Sequence, residues 1–309
     1  MRPVSEARSH GLGRLGLGRL AVYGVLIGLT GLAGFLYFEM RPVRIVAPSG
    51  SIQLAGSESM RPVVTACAES FMARNPKTDV IVRGGGSGDG VAALLHGLVD
   101  VGMISRDLSK PERDYASSKG MEISQAPLAL DGIAIIVNRT NPIVELSLAQ
   151  IQSIFAGKVR NWRELQGEDR EIQAFGRATG SGTAMLFTER VLGETPSAAL
   201  VEKLPTNEAI VAQVAARPGS IGYTGIGALS GSRDRIKAVS IRADQQSPPT
   251  AATAEEIRSG RYPLARTLAF ATPSPVSGTS KAFIDFCLGP SGQALVQRAG
   301  YVAINASGG

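Results

Sequence analysis

Residues 175–183 read Phe-Gly-Arg-Ala-Thr-Gly-Ser-Gly-Thr, a glycine-rich turn between an apolar segment and a segment of helical spacing at 184–192. A strand-to-helix turn of this kind leaves several backbone N–H groups unpaired at the positive end of the helix dipole. Ser181 and Thr183 add hydroxyl donors, and Arg177 adds a fixed positive charge. Together these groups predict an oxyanion site, although an ordinary helix cap beside a surface arginine would show the same pattern.

The same passage from strand to polar turn to helix recurs in the first part of the chain. Apolar segments predict strands at 51–55, 79–83 and 99–105, with turns at 56–59, 84–90 and 105–107 and helices at 62–75 and 91–97. Strands that alternate with helices are typical of α/β proteins, whose parallel strands bring such turns together at their carboxyl ends. We therefore expect an α/β fold with mainly parallel sheets.

The glycine run at 84–90 lacks the Lys-Ser/Thr pair of a Walker A loop, and the acidic residue of a dinucleotide site is not in place. Its position between a predicted strand and a predicted helix favours close approach of the backbone to a ligand over a flexible hinge. Farther along the chain, a continuous apolar run predicts a strand at 133–138, and Asn207 is predicted to cap a helix at 208–216.

The charge distribution separates a basic leader from a nearly neutral body. The 309 residues carry a formal charge of +6, of which residues 1–44 contribute +4 and residues 45–309 contribute +2. Nucleic-acid-binding proteins need a basic surface with interleaved aromatic residues, and aromatic residues make up only 5% of this chain. We therefore expect no nucleic-acid partner. Without its leader, the body is expected to be a soluble monomer.

The leader consists of a basic N-terminal region at 1–19 and an uncharged apolar run at 20–38, which is joined to the body by a linker at 39–50. A helix of 19 residues spans roughly 28 Å, close to the thickness of a membrane core. Basic residues before such a run direct the downstream chain to the periplasmic or extracytoplasmic side of the cytoplasmic membrane. The run continues past a possible cleavage site after Ala33, which favours a transmembrane anchor over a cleaved signal peptide and secretion.

Cysteine and histidine are scarce. Cys67 and Cys287 lie in helical patterns far apart in the sequence, where each is typical of a small buried hydrophobic residue. A disulfide between them is the alternative, because an exported protein meets an oxidising environment. His10 and His96 are the only histidines, and no Cys–His spacing typical of metal sites occurs. We expect neither a metal ion nor another cofactor.

Eight motifs occur in a defined order along the chain. They are residues 56–60, 84–90, 102–106, 129–138, 154–162, 176–183, 219–223, and 283–286 with 291–293. Together they span most of the chain from residue 52 to residue 304, and their order carries more weight than any single motif. In this order they resemble the periplasmic phosphate-binding proteins of ABC transporters, the PstS family.

The resemblance implies a two-lobed type II periplasmic-binding-protein fold, in which the lobes close over a ligand by a hinge. Lobe 1 would comprise residues 51–133 and 265–305, and lobe 2 residues 134–264, each with a mainly parallel sheet flanked by helices. It also implies that the protein captures inorganic phosphate in the cleft and delivers it to the permease subunits of an ABC transporter.

Four turns, three from one lobe and one from the other, would then form the ligand site. The residues that match the family pattern are Glu58 and Ser59, Ser87, Ser105 with Arg106, and Arg177 with Ser181, Gly182 and Thr183.

Two positions depart from the pattern. Many relatives carry an aspartate at the position of Ser105, where it accepts a hydrogen bond from protonated phosphate, and a hydroxyl residue at the position of Glu58. Glu58 either takes over the acceptor role or acts as a carboxylate at a helix start, and Asp89 allows the same two interpretations. The ligand is therefore phosphate or another tetrahedral oxyanion.

Two other functional classes are the alternatives to a transport protein. A membrane-tethered anion sensor or scaffold with the same fold would regulate rather than deliver, and the apolar leader is compatible with it. An enzyme would need a nucleophile with a base, or paired acids around a metal. The predicted cleft turns supply hydroxyls without a histidine, so we do not expect an enzyme.

Overall fold

The computed structural model describes residues 50–244 and 246–304 of the chain. The predicted leader, including the apolar run at 20–38, lies outside these residues. Among the helices that the structure describes, none is both long enough and apolar enough to span a bilayer.

Strands and helices alternate along most of the described chain, as an α/β fold requires. The strands are β1 (Ile52–Gly56), β2 (Val80–Arg83), β3 (Val101–Ile104), β4 (Ile123–Asn138), β5 (Glu145–Ser147), β6 (Gln173–Arg177), β7 (Glu202–Leu204), β8 (Ser220–Gly225), β9 (Ile236–Ala238), β10 (Ser240–Arg242), β11 (Ala265–Pro273) and β12 (Val302–Ala303). The α-helices are α1 (Arg61–Arg74), α2 (Ser87–Leu95), α3 (Lys110–Ser118), α4 (Leu148–Phe155), α5 (Gly182–Phe187), α6 (Asn207–Ala216), α7 (Ala254–Arg258), α8 (Gly278–Leu288) and α9 (Pro290–Arg298). Shorter turns are 3-10 at Trp162–Leu165 and Ile226–Leu229, and π at Thr188–Leu192.

The first lobe is built on strands in the order β2-β1-β3-β11-β4. Strand β1 pairs in parallel with β2 and β3, so that Leu54 faces Val82 on one side and Val101 on the other. Strand β11 is antiparallel to both β3 and β4. The turns that come after β1, β2 and β3 therefore meet at one edge of the sheet.

The second lobe continues the strand order as β4-β8-β6-β7. Strand β6 is parallel to β7 and β8, whereas β4 is antiparallel to β8 and β9. The segment 133–137 of β4 pairs with β8 and is completely buried, which explains its continuous apolar sequence. The predicted strand at 133–138 is thus the second half of a 16-residue strand.

Strand β4 passes from the first lobe into the second, because its residues up to Gly132 pair with β11 and those from Ile133 onward pair with β8. The chain returns to the first lobe at β11, which runs beside β4 in the opposite direction. Two neighbouring segments that leave and re-enter a lobe are necessarily antiparallel. The parallel pairing that the sequence predicts is consequently limited to β1–β3 and β6–β8 within the large sheet.

Three helix predictions need correction. Helix α2 begins at Ser87, four residues before the predicted start, so the second half of the glycine run is helical. The predicted helix at 184–192 is an α-helix only to Phe187 and continues as a π-turn. Asn207 is not the cap of α6: Thr206 accepts from the backbone N–H of Ala209, which leaves the amide of Asn207 available elsewhere.

Cys67 on α1 and Cys287 on α8 are free, fully buried thiols in the core of the first lobe. Burial raises the pKa of the Cys287 thiol, and a hydrogen bond with Cys67 raises it further. The two sulfur atoms are therefore neighbours in the structure without being bonded to each other. A neutral, buried thiol is a poor nucleophile.

We expect neither cysteine to react with iodoacetamide at pH 8 while the protein is folded, because both are completely buried. After unfolding in denaturant without reductant, mass spectrometry should find two alkylated cysteines per chain. Alkylation that requires a reductant even after unfolding would show that the two residues form a disulfide.

Candidate anion-binding site

The hydroxyl groups predicted for the site come together where the two lobes meet. Ser59 precedes α1, Ser87 is the first residue of α2, Ser105 comes directly after β3, and Ser181 and Thr183 lie at the start of α5. Each of these residues is at most 5% exposed. Four turns that are far apart in the sequence thus form one buried polar cluster, which we call the hydroxyl cluster.

The lobes contact each other directly across this cluster. The hydroxyl oxygens of Ser59 and Thr183 are 3.1 Å apart, and the backbone N–H of Gly88 donates to the carbonyl of Gly180 at 3.2 Å. These two contacts between the lobes show that the lobes are closed. Within the first lobe, the Ser87 hydroxyl accepts from the N–H of Ser105 at 3.0 Å.

Arg177 at the end of β6 is only 3% exposed. Its guanidinium donates to the side-chain oxygen of Asn207 and, at 2.8 Å, to the carbonyl of Pro205. Both acceptors are neutral, and no carboxylate of the described residues forms an ion pair with Arg177. Its Nε has no hydrogen-bond partner among the residues that the structure describes. Burial, together with the nearby charge of Arg266, lowers the pKa of Arg177.

Asn207 is a site residue that the sequence analysis assigned to a different role. Its Oδ1 accepts from Arg177, and its Nδ2 donates to the hydroxyl of Ser59 at 3.0 Å. The amide therefore links the arginine of one lobe to the serine of the other. Thr206 caps the helix in its place, and nothing in the local sequence distinguishes the two polar residues.

Asp131 on β4 and Arg266 on β11 were not predicted at all. Asp131 Oδ2 accepts from Arg266 Nε at 2.8 Å and from Nη2 at 2.6 Å, and both side chains are almost completely buried. Arg266 also donates to the hydroxyls of Ser59 and Thr183. Asp131 is a charged residue inside an apolar strand, and this feature of the sequence could have marked it as a candidate site residue.

Glu58 lies beside the hydroxyl cluster, with both carboxylate oxygens engaged. Oε1 accepts from the backbone N–H of Gly85 at 2.9 Å, and Oε2 accepts from Arg61 Nε at 2.8 Å. A Cβ at Gly84 would lie 1.6 Å from Oε1, so a larger residue there would displace the Glu58 carboxylate. The carboxylate thus joins the first turn to the glycine run, a role that neither interpretation of Glu58 included.

Arg106 has a separate set of partners. Its guanidinium forms a bidentate ion pair with Glu112 on α3, at 2.7 and 2.8 Å, and its Nε lies 3.1 Å from the sulfur of Met185 in the other lobe. The structure therefore places Arg106 at an interlobe contact rather than among the hydroxyls. Asp89, on α2, lies near the backbone of Gly85 and Gly180.

The described residues contain no group of three or more metal-ligating side chains. The cluster instead offers a set of hydrogen-bond donors around a buried positive charge. Two lobes that share strand β4 and close over such a cluster are typical of a two-lobed solute-binding protein.

Comparison with known proteins supports the class of two-lobed solute-binding proteins and identifies a family within it. Residues 45–291 match the family described as the PBP superfamily domain. The protein belongs to this superfamily and, by its similarity to curated proteins, to the PstS family within it.

Relatives and solved structures both cover most of the chain. Phosphate-binding protein PstS of Bacillus subtilis is 31% identical over 258 residues, which are 83% of this chain and 81% of the relative. PstS of Pseudomonas aeruginosa is 27% identical and covers 84% of each chain. A phosphate ABC transporter substrate-binding protein from Clostridium perfringens, solved with bound phosphate, is 28% identical with a TM-score of 0.74, covering 82% of this chain and all of that one. A phosphate transport receptor from Vibrio cholerae is 27% identical with a TM-score of 0.67 over 81% of this chain and 99% of that one.

Gly182 provides a steric test of the closed cleft. A Cβ there would lie 2.4 Å from the Ser87 hydroxyl and 2.5 Å from the Ser105 hydroxyl, both in the opposite lobe. We expect Gly182→Ala to weaken binding of inorganic phosphate roughly tenfold to a hundredfold, because overpacking opposes closure. Isothermal titration calorimetry measures this, and an unchanged dissociation constant would contradict the closed geometry.

Gly88→Ala is the matched control. Gly88 also faces the opposite lobe, but its added Cβ would be 3.6 Å from the Gly180 carbonyl, which is an ordinary contact. Phosphate affinity should then stay within about twofold of the unmodified protein. A loss equal to that of Gly182→Ala would mean that any added methyl group in the cleft is disruptive.

Proposed function

We propose that the protein captures inorganic phosphate between its two lobes and delivers it to the permease subunits of an ABC transporter. The observation that carries the proposal is the buried guanidinium of Arg177, which has neutral partners only. The names of the relatives support it, since the curated ones are called phosphate-binding proteins and one of the structures contains phosphate.

The charge balance of the interior favours an anion. The charged residues in the buried class of the described chain are Arg177, Arg266 and Asp131. Asp131 offsets Arg266 by direct contact, whereas Arg177 is paired with no carboxylate of the described residues and is influenced by those of Glu58 and Glu208 only from a distance. Burying an unpaired charge is costly, and a bound anion removes that cost. Closure of the lobes and binding of an anion therefore stabilise each other.

The hydrogen-bonding groups favour a compact, tetrahedral anion rich in acceptors. In this proposal, Arg177 supplies the charge, while Ser87, Ser181 and Thr183 and the backbone N–H of Gly182 supply donors from both lobes. Ser59 supports the site through its contact with Thr183. A hydroxyl can also accept, and Ser105 would do so toward the proton that phosphate retains near neutral pH. Glu58 and Arg106 support the turns from outside this set.

The location and the partner are part of the same proposal. A protein that hands its ligand to a permease works on the extracytoplasmic side of the membrane, where the basic leader and the apolar run at 20–38 would hold it. The proposal assigns residues 51–133 and 265–305 to the first lobe and 134–264 to the second.

Arg177→Ala should abolish measurable phosphate binding without unfolding the protein. Losing one buried, charge-assisted contact costs on the order of 2–5 kcal/mol, or tens- to thousands-fold in affinity. Calorimetric titration with phosphate, with sulfate as a competitor, measures the loss. Thermal unfolding with and without phosphate separates binding from folding, because only a bound ligand raises the melting temperature.

Arg106→Ala is the control for a general loss of positive charge. The same net charge is removed, but the Arg106 guanidinium already has Glu112 as its partner. We expect phosphate affinity to fall by no more than about fivefold, because the charge of Arg106 is already offset by Glu112. Equal losses for the two variants would refute the special role of Arg177, and an undiminished thermal shift in Arg177→Ala would place the ligand elsewhere.

The anchor is tested on the native protein. We expect membrane fractions of the producing cell to retain it after washing with high salt, and N-terminal sequencing to find residues 20–38 still attached. A chain that starts at Gly34 would show instead that the leader is a cleaved signal peptide.

A further inference from the structure

We propose that Arg266, held in place by Asp131, is a positioning residue that directs the Ser59 hydroxyl to Thr183, leaves the Thr183 hydroxyl as a donor for the ligand, and links lobe closure to binding. The inference deepens the proposed function and rests on it.

Asp131 and Arg266 lie at the junction of the two lobes. They are direct cross-strand partners in the pairing of β4 with β11, and β4 enters the second lobe two residues after Asp131. The Arg266 side chain is 2% exposed and that of Asp131 is completely buried. A buried ion pair often adds little net stability compared with apolar residues of similar size. We therefore expect the ion pair between Asp131 and Arg266 to have a role other than stabilising the fold.

Asp131 holds the guanidinium and both lobes at the same time. Its Oδ2 accepts from Nε and Nη2 of Arg266, while its Oδ1 accepts from the backbone N–H of Ile226 at 3.0 Å. Ile226 comes directly after β8 in the second lobe. The carboxylate consequently fixes the orientation of Arg266 with respect to a backbone segment of the opposite lobe.

The remaining donors of Arg266 go to one hydroxyl from each lobe. Nη1 donates to Thr183 Oγ1 at 2.8 Å, and Nη2 donates to Ser59 Oγ at 3.0 Å. A planar guanidinium can serve these partners and the carboxylate together because its five N–H groups form a rigid fork. A lysine ammonium has three donors on a single nitrogen and cannot reach the same set of atoms.

The hydrogen-bond inventory then determines where the hydroxyl protons go. A hydroxyl has two lone pairs and one hydrogen. Ser59 Oγ accepts from Arg266 and from Asn207, which uses both lone pairs, so Ser59 donates in its 3.1 Å contact with Thr183. Thr183 Oγ1 in turn accepts from Ser59 and Arg266, and its own hydrogen is left for a bound oxyanion.

This arrangement predicts non-additive effects at Arg266 and Thr183. Thr183→Val removes the oriented hydroxyl and should weaken phosphate binding about tenfold or more in the otherwise unmodified protein. Arg266→Lys keeps the positive charge but removes the guanidinium donors that orient the Thr183 hydroxyl. In the Arg266→Lys background, Thr183→Val should cost no more than about twofold, because the hydroxyl there is no longer held as a donor. A double-mutant cycle by calorimetry measures this coupling.

Two further variants separate positioning from folding. Tyr262→Phe removes another buried hydrogen bond at the junction, from the Tyr262 hydroxyl to the Ile133 carbonyl, and does not touch the hydroxyl cluster. Thr183→Val should cost the same in that background as in the unmodified protein. If Arg266→Lys does not fold, the pair Asp131→Asn with Arg266→Gln removes both charges and leaves none unpaired, and the same cycle is run on it.

The outcomes distinguish this inference from the proposed function. No phosphate binding by the unmodified protein would refute the function, whereas normal binding with a fully additive cycle would refute only the role of Arg266. Small-angle scattering supplies an independent measurement. Phosphate should reduce the radius of gyration of the unmodified protein and of Tyr262→Phe, and should do so only at higher concentration for Arg266→Lys.

Discussion

The buried charge of Arg177 is the constraint on which the rest of the cleft depends. Its guanidinium is shielded from water and held by an amide and a carbonyl, neither of which can neutralise it. The second buried arginine, Arg266, already has its counterion in Asp131. The closed protein thus contains a buried positive charge without a direct counterion in the described part of the chain, and a small anion between the lobes supplies one. The hydroxyls, the glycine run and the Glu58 carboxylate then determine how closely the two lobes approach that anion.

Local sequence patterns predicted the elements and the turns, because strand-to-helix passages and glycine runs are signals that a short window contains. Parallel strands that end at one edge predict that the turns with Ser59, Ser87 and Ser105 meet. The contact of these turns with the turn of the other lobe was implied by the resemblance to the PstS family. Asn207 and Arg266 could not be found in this way. Asn207 bonds to Ser59 across 148 residues, and Arg266 bonds to Ser59 across 207. Such contacts depend on how the lobes meet. The early start of α2 at Ser87 was missed because glycines weaken the helical pattern there.

The two connecting strands explain why the polar residues at the junction are so closely linked. Asp131 and Arg266 sit on β4 and β11, where the chain leaves and re-enters the first lobe, and Ile226 reaches the same carboxylate from the second. Side chains at this position experience any change in the angle between the lobes. Arg266 can therefore respond both to the hinge and to the hydroxyls that face the ligand, which combines structural support and recognition in one side chain.

The near-complete burial of the hydroxyl cluster also has a kinetic consequence. Ser87 and Ser105 have no exposed surface in the closed protein, and Gly88 and Gly180 are hydrogen-bonded across the cleft. An enclosed ion cannot diffuse out, so its residence time is set by how often the lobes separate, and the hydrogen bonds of the ion to both lobes make that separation rarer. A partner that draws the lobes apart would release the ion quickly without any change in the cleft residues, and tight storage would be compatible with rapid transfer.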